Sequence, residues 1–171
     1  MCRPMFRVAF LGAVVLGWCG IAAGEEEKEP SAKSQEAAKL LKENVGKFSL
    51  TIAGWFGKEP PHFTLVTDKE LAKKAPKVIF VISEDQARAV IDGLVKVGQF
   101  DKPRHIPPAG PPVLGWNLYV GLAETPPRLY QWLLGDDKHD LTTDPTVSEI
   151  IKILEGDAKK ALQNLAKSAA K

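Results

Sequence analysis

Thiols are scarce in this chain, and so are the other groups that mark an enzyme by sequence. Its 171 residues hold only two cysteines, Cys2 and Cys19, and three histidines. If the first 24 residues are removed, a cysteine-free mature domain is expected, which excludes a structural disulfide, a thiolate zinc site and a cysteine nucleophile. His62, His105 and His139 stand in no known motif. The chain lacks the His-Glu-x-x-His pair of zinc hydrolases, a phosphate-binding loop and the Gly-x-Ser-x-Gly elbow. Its "GWFG" and "GPPVLG" segments do not have the spacing of a dinucleotide fingerprint. No cofactor and no catalytic residue is therefore assigned from sequence.

An excess of one charge is also missing. The chain has 23 basic and 21 acidic residues, and residues 1–24 contain Arg3 and Arg7 but no acid, which leaves 21 of each. A neutral remainder has no basic field for nucleic acid or an anionic membrane. Long hydrophobic runs are confined to the N-terminus. There Arg3 and Arg7 precede the uncharged stretch Val8 to Ile21, then Ala22-Ala23-Gly24, then Glu25-Glu26-Glu27. That is the order of a cleaved signal peptide, 1–24, and the run is shorter than the ~20 residues of a spanning helix. Trp18 before Cys19 argues against lipid attachment, which needs a small residue there. The expectation is a periplasmic or secreted protein with no stable membrane insertion. Secretion without disulfides fits a bacterial envelope better than a small eukaryotic secreted domain.

Residues 25–34 are charged and poor in large apolar groups, as in a flexible linker. Residues 35–171 carry the pattern of one domain. Ala37, Ala38, Leu41 and Val45 predict a helix from Gln35 that ends at Gly46. Phe48, Leu50 and Ile52 alternate with Ser49 and Thr51, and His62 to Thr67 follows, which predicts an antiparallel hairpin. A helical turn is predicted at 69–75. The apolar run Val78 to Ile82 predicts a central strand covered on both faces. Ser83 and Gln86 form a capping box before a helix with Ala87, Val90, Ile91, Leu94 and Val95 inward, closed by Gly98. Two strands, 116–122 and 128–134, precede a long C-terminal helix kinked or split at Gly156. The fold class is α+β: a single domain with a mostly antiparallel sheet of about five strands and helices packed on one face.

Three stretches invite a functional reading. "GDDKHDLTTDPTVSE", 135–149, gathers Asp136, Asp137, His139, Asp140 and Asp144. Its spacing matches no calcium loop or zinc motif. Asp144 before Pro145, or Thr146 with Glu149, explains the end of the stretch as a helix cap. The proline-rich loop "DKPRHIPPAGPPVLGW" contains Pro107 and Pro108 and favours stiff, extended geometry. It serves either as an insertion finger for a partner or as a cover for a sheet edge. Trp55-Phe56 between glycines marks a contact patch or a lid over the sheet end. Strand parity adds Tyr119, Tyr130 and Trp132, expected together on the sheet face that helices leave open.

These features predict an exported, non-catalytic binding or interaction module that meets another envelope or secreted protein, in the manner of an inhibitor or an assembly subunit. One alternative is a small hydrolase or metal-assisted enzyme built on Asp136 to Asp140 with a histidine. Another is a small-ligand carrier with a cavity between sheet and helices.

Overall fold

The computed structural model describes residues 29–55, 61–73, 78–104, 114–123, 128–136 and 138–169. The described chain forms one five-stranded sheet in the order β3-β2-β1-β4-β5, with β1 Phe48–Trp55, β2 His62–Val66, β3 Ile79–Val81, β4 Gly115–Leu122 and β5 Arg128–Gly135. The pairings β1–β2, β1–β4 and β4–β5 are antiparallel, and β2–β3 is parallel. Helices α1 Ala32–Glu43, α2 Lys69–Ala72, α3 Glu84–Lys96, α4 Pro145–Ile153 and α5 Gly156–Ala169 complete the α+β domain, with helices packed on one face of the sheet.

That face is built by strand parity. Leu50 lies between Leu65 and Val120, and Ile52 between Phe63 and Leu118. These six side chains are buried with Phe48, Trp116 and Leu122 from the same face. Helix residues close the layer from above: Leu41 from α1, Val90, Ile91 and Leu94 from α3, Val147 and Ile150 from α4, and Leu162 from α5. Burial of each such side chain contributes about 1.5–3 kcal/mol, the main favourable term in the fold.

Helix α3 begins as its sequence demands. The Ser83 hydroxyl accepts from the Gln86 amide at 3.1 Å, and the Gln86 side chain accepts from the Ser83 amide at 3.4 Å. Gly98 ends the helix region at φ 65°, a left-handed conformation that costs glycine little. Gly93 looks like a weak point in sequence, yet it is where α4 crosses: a Cβ there would lie 2.7 Å from Ile153 Cδ1.

Several expectations need correction. Helix α1 starts at Ala32, not Gln35, because the Ser31 side chain caps it by accepting from the Ser34 amide. Gly46 does not terminate it. The helix ends at Glu43, and Gly46 falls in a following 3-10 turn, Val45–Lys47. The run Val78 to Ile82 is not a central strand. Only Ile79–Val81 pairs, at the sheet edge and on β2 alone, and Val81 is exposed. Its apolar content is used locally: Phe80 stacks on Phe63 at 5.3 Å, and Ile82 is buried beyond the strand. The C-terminal segment is split rather than kinked. Leu154 adopts an extended conformation, and Gly156, at φ 58°, starts α5.

Candidate functional site

The polar turn after β5 is organised by its own backbone. Asp136 accepts from the Lys138 amide at 3.0 Å. Asp140 accepts from the amide and the hydroxyl of Thr142 at 2.8 and 2.6 Å. These bonds hold the Asp140 carboxyl below its ordinary range, because they favour the ionised form. Asp144, the buried member, caps α4: one carboxylate oxygen accepts from the amides of Thr146 and Val147 at 2.9 and 3.0 Å. Pro145 occupies the first helical position, where its missing N–H costs nothing. Of the two caps expected from sequence, Asp144 is the one used.

The second oxygen of Asp144 lies 3.0 Å from His139 Nε2. An imidazole oriented by a carboxylate is the supporting half of a hydrolytic triad. The nearby hydroxyls, however, are engaged elsewhere. Thr146 Oγ1 donates to Gln99 at 2.8 Å, Thr142 Oγ1 to Asp140, and Ser148 Oγ to the Thr142 carbonyl at 3.4 Å. The His139 ring lies against Gly135, so that a Cβ at that position would run into it. The pair therefore clamps the turn to the start of α4. Glu149, further along α4, receives Lys96 of α3 at 3.2 Å and Lys152 at 3.0 Å, and the two ammonium groups hold its carboxyl below the ordinary range. Among the described residues no three His, Cys, Asp or Glu side chains converge as metal ligands. Asp137 and His105 lie outside the described residues.

The aromatic candidates separate. Tyr119, Tyr130 and Trp132 were expected on one open face, but the register places Trp132 opposite Leu118 and Tyr130 opposite Val120, both on the core face. Trp132 is 1% exposed and meets Phe100 edge-on at 5.6 Å. Tyr130 stacks on Trp132 at 6.0 Å and carries the Arg104 guanidinium 4.2 Å from its ring centre. The expected register, with Tyr119 beside Tyr130 and Trp132, is off by one, and a one-residue slip exchanges the faces. Tyr119 faces Gln131 instead.

Tyr119 does lie on the face away from the core helices, and Trp55 joins it there. The Trp55 indole N–H donates to the Tyr119 hydroxyl at 3.2 Å, and Gln131 Nε2 lies 3.4 Å from the same oxygen. Gln131 also reaches Asn117 Oδ1 at 3.4 Å. Around this network Trp55 is 37% exposed, Leu129 52% and Leu133 43%. Sequence reasoning missed Leu129, Gln131 and Leu133, although their alternation with Tyr130 and Trp132 was legible. Phe56, Pro107 and Pro108 lie outside the described residues.

Two open grooves flank α1. One of about 570 Å³ runs between α1 and α3 past Lys42, Arg88 and Asp92. The other, of about 360 Å³, lies between α1, Arg104 and Tyr130. The layer between sheet and helices is filled by the buried side chains named above.

Comparison with family models, with curated proteins and with solved structures finds no match to the chain. The expectation of a cysteine-free mature domain is overturned, because the protein contains two cysteines, Cys2 and Cys19. No helix among the described residues is long and apolar enough to cross a membrane.

Proposed function

We propose that the protein is an exported, non-catalytic binding module that takes a partner protein on the open face of its sheet. The observation that carries this reading is the Trp55–Tyr119–Gln131 network, which holds two amphipathic aromatics in place on rigid strands. Trp and Tyr offer large contact area and a polar handle at low conformational cost, which is why they anchor interfaces. The exposed Leu129 and Leu133 extend the apolar area around that anchor. Export rests on the order of charge, apolar run and small residues at the N-terminus.

Site-specific photocrosslinking in the native host tests the reading. A photoreactive phenylalanine analogue replaces Trp55 in one chain and Lys160, exposed on α5, in another. The expected result is one reproducible adduct with a different protein from position 55 and none from position 160. That adduct should be lost when Tyr119→Ala is added. Adducts that are the same at both positions, or that survive Tyr119→Ala, would refute the open face as the binding surface. N-terminal sequencing of the protein from the envelope and medium tests export, and an intact Met1 in the cytoplasm would contradict it.

A further inference from the structure

The edge of the sheet at β5 carries an inference of its own. Among the described residues no strand pairs with the outer side of β5. A bare edge presents a row of free backbone donors and acceptors, and proteins usually blunt it with charge, proline or brevity. The opposite edge, β3, is short, with three residues. By contrast β5 spans eight residues and has no charge and no proline from Leu129 to Gly135.

The pattern along that edge reads nearly the same in both directions. Leu129-Tyr130-Gln131-Trp132-Leu133 is leucine, aromatic, glutamine, aromatic, leucine. A two-fold interface requires such self-complementarity, since residue i meets j and j meets i. We propose that a second copy of this chain pairs antiparallel along β5, with the two-fold axis at Gln131, to join the two sheets into one.

Parity selects this register. Residues directly opposite one another in an antiparallel pair share a face, so the axis must pass through a residue and not between two. With the axis at Gln131, Leu129 meets the partner's Leu133 on the open face, and each of these exposed leucines covers the other. On the core face Tyr130 meets the partner's Trp132. An axis at Trp132 would leave Leu129 opposite the partner's Gly135 and uncovered. Helix α1 agrees with the arrangement. It lines the groove beside Tyr130 with Lys33, Glu36, Lys39 and Glu43. An axis normal to the sheet reverses any helix lying on it. Lys33 then faces the partner's Glu43, and Glu36 faces the partner's Lys39, so unlike charges oppose.

The test uses the residue on the axis, which meets itself. Sedimentation of the full chain between 1 and 100 µM (roughly the range in which such pairs dissociate) is expected to show a dimer. Gln131→Lys and Gln131→Glu each oppose two like charges and should weaken it about tenfold or more. An equimolar mixture of the two variants should restore the dimer, because unlike charges then meet. Leu129→Lys, at an exposed position, repeats the loss if either Gln131 variant shows a disturbed circular dichroism spectrum. A native monomer throughout the range overturns the proposal. So does a dimer indifferent to all three variants, or a mixture of the Gln131 variants that fails to reassociate. The proposal does not rest on the binding reading: Trp55→Ala is expected to leave the mass unchanged, so either can fail without the other.

Discussion

Trp132→Ala separates the observed strand register from its one-residue alternative, when measured against Leu133→Ala. A buried tryptophan removes 150–250 Å² from water, about 4–6 kcal/mol at 25 cal/mol/Å² as an upper estimate. Its ring also meets Phe100 at 5.6 Å and Tyr130 at 6.0 Å, and such pairs add about 0.5–1.5 kcal/mol each. Against this, the buried Trp132 indole N–H has no hydrogen-bond partner among the described residues, and removing it returns about 1–3 kcal/mol. The net agrees with the about 3–5 kcal/mol typical of such truncations. Leu133 is its sequence neighbour but points to the open face, so Leu133→Ala should stay within about 0.5 kcal/mol. Urea unfolding followed by circular dichroism reads both. With a slope of about 2 kcal/mol/M, Trp132→Ala shifts the midpoint down by about 2 M and Leu133→Ala scarcely moves it. The denaturations are run below the concentration at which any dimer forms. Equal shifts, or a larger one for Leu133→Ala, would refute the parity on which both the binding face and the β5 pairing depend.

Other changes test the turn and the helix layer. Asp144→Ala removes the cap of α4 and should cost about 1–2 kcal/mol, whereas Asp144→Asn keeps a capping oxygen and should cost less in the same urea assay. Gly135→Ala drives a methyl into the His139 ring and should destabilise by about 1–3 kcal/mol, and His139→Ala in the same chain should recover part of that loss. Gly98→Ala forces alanine into a left-handed conformation and should lower stability by about 1 kcal/mol, although the added methyl touches nothing. Glu149 titrates below its ordinary 4.5, so its stabilisation is present above that pH and fades as pH falls through the lower folded value. The stability gap between the native chain and Glu149→Gln, about 1 kcal/mol or less at neutral pH, should therefore close in acid and narrow in high salt. A gap that widens in acid would contradict the assignment.

Local physics made much of this protein legible without coordinates. The capping box at Ser83, the left-handed Gly98 and the alternation in β1 are short-range signals, because the groups that satisfy them lie within a few residues. The α+β class followed from the order of those elements. Asp144 and Thr146 were both competent caps in sequence, and only the docking of His139 and Gln99 against the turn showed how each is used. Strand order and register belong to the tertiary structure. The run Val78 to Ile82 reads as a central strand, but burial says only that something covers it, not that strands lie on both sides. In β5 both faces carry large apolar groups, so the pattern alone leaves two registers nearly equal. The packing of Tyr130 and Trp132 against Phe100 and Arg104 decided between them, and with that choice turned Trp132 inward and left Trp55, Tyr119 and the two leucines on the open face. Sequence determined which segments are strands and helices; which face of a two-sided strand meets water was decided by what the rest of the chain could pack against it.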